Sequence, residues 1–389
     1  MPFTGKATYS AGSDLPELVE DVSDIISIVS PYETPLLDLI GEPQRLAFST
    51  VHEWLEDALL PNTDRINDDT ITDPETETSF NVENGARFKI GDQLQVEGSA
   101  EVMLVVNISN NTLMIQRGYG QTVKESIADG QIIRILGGAA IEGDTKPTPR
   151  FTNRARKTNY TQIFTAAVEV SGSQLACPQI GLDDELDYQK QERIRELIRD
   201  LENCVINGAA SSVEPEGSAA TRRTMKGIIP FLVTNRFACG DSNLPLGDGP
   251  GFDQLNEEQI NFTLRKIWEQ SSGNIDTIVV GGAQKRRINN FITSNRSYDE
   301  KSSRFRDMVS VYESDFGVCR VVLSRWMPKD AVLFIDSSRI DVMPLRGRNF
   351  QFKKLAATGD SESGQIIGEY TLELRNENAH GMIRGLATS

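Results

Sequence analysis

Between Asp183 and Asn207 the chain runs without a glycine or proline, and that stretch does most to limit what it can fold into. A helix over residues 184–207 would be roughly 35 Å long at 1.5 Å per residue, enough to span a small domain. Asp183, Asp184, Glu185 and Asp187 crowd the end where the helix dipole favours negative charge. Asn207-Gly208 offers a left-handed stop at the other end. Leu186, Ile194, Leu197, Ile198, Leu201 and Val205 recur at three- and four-residue steps and form one apolar stripe. Lys190, Glu192, Arg193, Arg195, Glu196, Arg199, Asp200 and Glu202 are assigned to the other faces. A β-rich segment at 160–170 leads in and stops at Ser171-Gly172. The pair predicts a structural spine, packed on one face and open to water or another subunit on the rest.

At 389 residues the chain has room for two or three domains and a sizeable core. It contains no run of eighteen apolar residues, so no membrane span is expected. Residues 1–12 lack the apolar stretch of a secretory signal and read as a polar arm. The 56 carboxylates outnumber 40 Lys and Arg, for a net charge of −16. A nucleic-acid-binding surface needs clustered bases to displace counterions, so this balance argues against one. An acidic wall suits a container for DNA better than a binder of it. Cys177, Cys204, Cys239 and Cys319 are far apart and form no C-x-x-C, the pattern of reduced thiols.

Along the chain, residues 1–50 read as an arm with an amphipathic helix at 15–29 and a short apolar piece at 34–40. Residues 52–83 are strongly acidic, with Glu53, Glu56 and Asp57 at their start and Arg65 as the one base. Residues 144–157 have the opposite sign through Lys146, Arg150, Arg154, Arg156 and Lys157. Two such stretches predict the outbound and return strands of one protruding loop, in which opposite charges attract modestly and less in salt. The alternative is two solvated linkers that never meet. Between them, residues 84–142 read as four or five short strands with turns at Asn110-Asn111 and Asp129-Gly130, a small barrel. Beyond the spine lies a mixed α/β region, and segments 368–374 and 381–386 read as a final strand pair.

Enzyme signals fail in turn. Gly281-Gly282 after a strand lacks both P-loop and dinucleotide spacing. His52 and His380 belong to no metal motif, and His380 reads as a turn residue. No nucleophile elbow occurs. No catalytic residue, metal or cofactor is implied. A second basic run, Lys285, Arg286, Arg287, Arg296, Lys301, Arg304 and Arg306, is either a solvated face or an assembly surface for a neighbour's acidic segment at 53–77.

The order of these parts resembles the major capsid proteins of tailed bacteriophages, whose fold is shared with herpesvirus shells and encapsulins. More narrowly, it is similar to podophage head proteins whose extended loop carries an inserted β domain. Residues 160–164, 168–172, 184–189, 199–202, 206–208, 368–373 and 378–381 carry the resemblance. It implies an α+β fold with an N-terminal arm at 1–50 and an extended loop at 51–158 with its insertion at 84–142. A peripheral domain would combine 159–227 with 346–389, and an axial domain would span 228–345. It implies assembly as pentamers and hexamers into an icosahedral or prolate head around double-stranded DNA, bound without sequence preference. A portal and scaffolding or decoration proteins are the implied partners, with assembly in the host cytoplasm and residence in the virion. Candidate inter-subunit contacts are Glu53, Glu56, Asp57, Arg150, Arg154, Arg156, Lys157, Arg286, Arg287, Arg304 and Arg306. Two alternatives stay open: an encapsulin-like shell, and a virion surface protein whose β module binds a glycan or receptor.

Overall fold

The computed structural model describes residues 34–68, 73–143, 151–177, 184–294 and 311–388, apart from 42, 44, 58, 74, 153, 272 and 357–358. The helix expected at 15–29 lies outside them. In chain order the first elements are α1 (Pro35–Ile40), β1 (Val51–Glu56), β2 (Thr63–Arg65), β3 (Ser79–Asn81), β4 (Asp92–Val96), β5 (Val102–Ser109), β6 (Thr112–Gln116) and β7 (Ile132–Gly138). Next come β8 (Ala155–Tyr160), β9 (Gln162–Ser171), α2 (Gly172–Ala176), α3 (Glu185–Asn207), α4 (Ile228–Phe231), β10 (Arg236–Ala238) and α5 (Glu257–Gln270). The remainder are β11 (Thr277–Val280), α6 (Gly282–Ser294), β12 (Val311–Ser314), β13 (Gly317–Leu323), β14 (Val332–Ile335), β15 (Ile340–Pro344), β16 (Gln351–Lys354), β17 (Ser361–Leu374) and β18 (Gly381–Arg384). By internal contacts, residues 55–155 form one compact unit and the described residues on either side form the other.

In the larger unit, α3 is the spine. The Asp184 carboxylate accepts the Leu186 and Asp187 N–H groups at 2.8 and 3.3 Å, which caps the helix start. The end differs from expectation. Gly208 has φ −52 and ψ 139, so it is extended and not left-handed. A glycine is needed there for closeness: Gly227 N–H donates to Gly208 O at 2.7 Å. A Cβ on Gly208 would stand 2.4 Å from Cys204 O, and one on Gly227 would stand 2.7 Å from Gly208 N.

Leu197, Leu201, Val205 and Ile206 of α3 bury against Phe164 and Val168 of β9 and Ile366, Leu372 and Leu374 of β17. β17 is the axis of this four-stranded sheet. β9 pairs along 361–370 on one edge, while β15 and β16 share the other. The second sheet has the order β10-β18-β14-β11-β13-β12, with β10/β18 and β11/β13 parallel. Its central strands alternate between two cores. Val279, Leu333, Ile335 and Met382 face the α3 core. Ile278, Val280, Val332, Phe334 and Ile383 face α5 and α6. Burial on both faces explains why β11 and β14 read as continuous apolar runs without alternation.

The expected pairing of 368–374 with 381–386 is therefore incorrect. β17 joins the four-stranded sheet, and β18 crosses to lie between β14 and β10. β15 likewise joins β17, so the division expected at residue 346 falls after a strand of the same sheet. Glycine-led turns mark both strand ends in sequence, but nothing local chooses the partner.

The smaller unit is a six-stranded antiparallel sheet in the order β2-β7-β4-β5-β6-β3. A bridge from Ile66 to Val82 joins its two ends and closes it into a barrel. Inward positions Phe80, Leu94, Val96, Met103, Val105, Leu113, Ile115 and Ile133 fill the interior. Bulges at Gln93/Leu94 and between Val105 and Asn107 bend the strands. The barrel starts earlier than the expected 84–142, because β2 and β3 belong to it. Acidic residues hid them: Asp64 is buried and takes Arg87 at 2.7 Å, and Asp68 accepts the Asn81 N–H at 2.8 Å. These two carboxylates are thus structural wiring of the barrel.

Candidate assembly interface

β1 and β8 pair as a two-stranded ribbon through which the chain passes between its units. β8 is exposed over Ala155–Thr158 and becomes buried only at Asn159. Asn159 is a junction: its Nδ2 donates to Lys226 O and Leu372 O at 2.9 and 2.7 Å, and its Oδ1 accepts the Lys226 N–H at 2.9 Å. One amide thus ties β8, the segment before α4 and β17 together, with both ends satisfied. At the start of β1, His52 Nε2 lies 2.6 Å from Glu373 Oε2, and Arg45 reaches Glu373 Oε1 at 2.9 Å and Asp341 Oδ2 at 2.7 Å. Burial works to raise the Glu373 carboxyl, but the hydrogen bonds from His52 and Arg45 outweigh it and hold the pKa below its ordinary value. Trp54 packs between His52 and Phe231, with ring centroids 5.8 and 6.0 Å away. The base of the ribbon is therefore rigid, whereas its charged length faces outward.

Of the expected contact residues, Glu53 and Arg156 meet within one chain at 3.4 Å, both exposed. Asp57 accepts the Thr152 hydroxyl at 3.0 Å. Arg154 and Lys157 are exposed on or beside β8, and Glu56 is half-buried. On α6, Arg286 is exposed, while Arg287 lines an open groove with Asp248, Glu257 and Glu258. Arg150, Arg304 and Arg306 lie outside the described residues, as do Arg296 and Lys301.

A model of the SU10 major capsid protein family matches residues 3–387. The chain belongs to that family. As a major capsid protein it forms the shell of a phage head and is a component of the virion. The major capsid protein of Escherichia phage Phieco32 is 24% identical over 346 residues, which covers 77% of this chain and 94% of that one. A solved structure from Microbacterium phage Oxtober96 is 13% identical and superposes with a TM-score of 0.52 over 97% of this chain and 98% of its own. The capsid of a native GTA particle gives 0.52 at 10% identity, over 98% and 100%. These likenesses, at such low identity, establish the fold.

In this capsid protein the residue missed by sequence reasoning is Glu202. Its sequence position suggests a solvated face of the spine, yet it is fully buried. Its Oε2 accepts the Leu36 and Leu37 N–H groups at 3.2 and 3.3 Å, and its Oε1 takes the Ser324 hydroxyl at 3.3 Å. It thereby binds the first turn of α1 to the spine and to the turn after β13. Burial pushes its pKa up to about 7, against the two backbone N–H groups that favour the charged form. A signal was present: Glu202 sits three residues before Val205 and four before Ile206, inside the buried stripe. His380, expected in a turn, follows one and is buried. Its Nδ1 accepts the Asp336 N–H at 3.2 Å, and burial lowers its pKa to about 4.

Proposed function

We propose that this capsid protein assembles as pentamers and hexamers that close into an icosahedral or prolate head around double-stranded DNA. The observation that carries the reading is the β1–β8 ribbon, which is anchored firmly at its base and exposed along its charged length. An exposed ribbon of opposite charges gains little within one chain, since surface pairs contribute about 0–1 kcal/mol each. Repeated across many copies, such contacts set register and partner choice. Subunits associate head to tail and rings close where the rotation permits. The four-stranded sheet with α3 forms the peripheral part, the six-stranded sheet with α5 and α6 the axial part, and the barrel is the loop's insertion. The net charge of −16 lets DNA lie against the wall without sticking to it. The protein acts without catalysis and assembles in the host cytoplasm, with a portal and scaffolding or decoration proteins as partners.

Negative-stain electron microscopy with size-exclusion light scattering tests this on the recombinant chain, alone and co-expressed with its scaffold. Closed particles or free pentamers and hexamers are expected. Charge reversal at Arg286 and Arg287 should lower particle yield, and at the exposed Arg286 alone it should do so at unchanged melting temperature. A chain that stays monomeric even with scaffold would overturn the reading.

A further inference from the structure

The loop between β10 and α5 carries a side chain in an uncommon position. Phe252 has φ +54, a left-handed conformation that bulky residues seldom adopt, and the residue is 56% exposed. The loop around it is built to hold that shape. Asp248 and Gln254 form a β-bridge, Gly247 N–H donates to Phe252 O at 3.0 Å, and Phe252 N–H donates to Gly249 O at 3.2 Å. Asn256, which caps α5, also holds Leu246 O at 3.0 Å and Asp248 Oδ1 at 3.2 Å. A strained backbone held by these bonds thus carries an exposed aromatic ring. Together they make a rigid apolar knob.

At the other end of α5 lies an open groove of about 310 Å³, lined by Leu264, Ile267, Trp268, Ile275 and Phe316 among others. Trp268 is 64% exposed, tilted against Phe316 at 6.1 Å, while Leu264, Ile267 and Ile275 belong to the core beneath. The space is ample for a phenyl ring, since a cavity of roughly 150 Å³ takes benzene. Charge also matches. Residues 237–256 hold Asp241, Asp248 and Asp253 and no base, and Arg287 of α6 shares a groove with Asp248 alone of these three. Arg265 lies one turn before Trp268 on the same helix face, and its partner Glu269 is a long 3.6 Å away on the surface. Asp315, next to Phe316, is the carboxylate nearest in sequence to that wall of the groove.

Resting on the assembly reading above, we infer that Phe252 of one copy inserts into the Trp268 groove of the next, with Asp248 and Asp253 meeting Arg265. Knob and groove sit at opposite ends of a 14-residue helix, roughly 20 Å apart at 1.5 Å per residue. That separation keeps a copy from filling its own groove, and among copies repeated around a ring the contact is heterologous, each knob entering the next copy's groove. Aromatic side chains seated in pockets are the anchors that dominate such interfaces.

The test replaces Phe252 by the photoreactive p-benzoylphenylalanine, which keeps the ring, and irradiates assembled particles. Inter-chain adducts joining residue 252 to the peptides holding Trp268 or Phe316 are expected, as a ladder extending beyond dimers. Adducts elsewhere, or a product that stops at the dimer, would overturn the contact while leaving particle assembly intact. Phe252→Gly supplies a second measurement, because glycine tolerates that backbone and the monomer should melt no lower. At least a tenfold rise in the concentration needed for particles is expected, and Arg265→Glu should act in the same direction. Unchanged assembly of Phe252→Gly would also sink the inference. If the unmodified chain never assembles, the broader reading fails first and this contact with it.

Discussion

At the residue scale, two buried titratable groups pull stability in opposite directions with pH. Glu202 has its folded pKa raised to about 7 by burial. Its folded form therefore holds a proton that the unfolded chain releases near the ordinary value of ~4.3, so stability falls as pH rises from there to about 7. His380, with a pKa lowered to about 4, does the reverse. The unfolded chain gains a proton below ~6.5 that the buried ring refuses, so stability falls as pH drops toward 4. Glu202→Gln removes the first effect and keeps an oxygen for the Leu36 and Leu37 N–H groups. The variant should equal the parent near pH 4.5 and be more stable at pH 8. The gain should reach up to roughly 3 kcal/mol, since each tenfold change in proton affinity is worth about 1.36 kcal/mol. Urea unfolding at the two pH values measures this, and equal differences at both would refute the burial argument. The acid-side loss from His380 should persist in the variant.

At the element scale, Glu101 and Arg117 form a fully buried ion pair in the barrel. Glu101 takes both Arg117 Nε and Nη2, at 2.8 and 2.7 Å, and also accepts the Gly118 and Glu125 N–H groups at 3.0 and 2.9 Å. Burial works to raise the Glu101 carboxyl, but these partners outweigh it and the pKa is lowered. Removing one member strands the other charge, so Arg117→Ala should cost about 3–5 kcal/mol. Replacing both by apolar residues of similar size should cost far less. Amide hydrogen exchange localises the effect: protection should fall across β4 to β7 and hold in α3. An equal loss in α3 would show that the barrel does not unfold as its own unit. The same elements show what was legible beforehand. Strands β4, β5, β6 and β7 were visible because alternation and turn residues are local signals. β2 and β3 were not, being three residues each and marked by carboxylates whose burial depends on Arg87 and the Asn81 backbone. The spine helix was plain in its composition, whereas Glu202 needed α1, some 165 residues away, to explain its burial. The pairing of β17 and β18 with different sheets is a long-range choice that no periodicity encodes. Exposure of Phe252 left no sequence mark at all, because its left-handed backbone is set by Gly249 and the Asp248–Gln254 bridge.

At the scale of the whole molecule, the exposed charges matter for what the chain meets more than for how it folds. Glu53 and Arg156 stand 3.4 Å apart on the ribbon, both well exposed, and such a pair gives the monomer at most about 1 kcal/mol. Exchanging them, Glu53→Arg with Arg156→Glu, keeps the attraction inside the chain and inverts the pattern offered to a neighbour. The unfolding free energy should change by less than ~0.5 kcal/mol, as for an ordinary surface substitution. Particle yield should drop, and it should recover in part as salt rises, because the screening length shrinks from ~10 Å at 0.1 M to ~3 Å at 1 M and mutes the new repulsion. Light scattering across a salt series reads particle yield, and urea unfolding of the same preparation reads stability. A swap that assembles like the parent at every salt concentration would mean that the ribbon's charges serve only the chain that carries them. In that case the head would rely on apolar contacts, whose strength does not fall as screening increases.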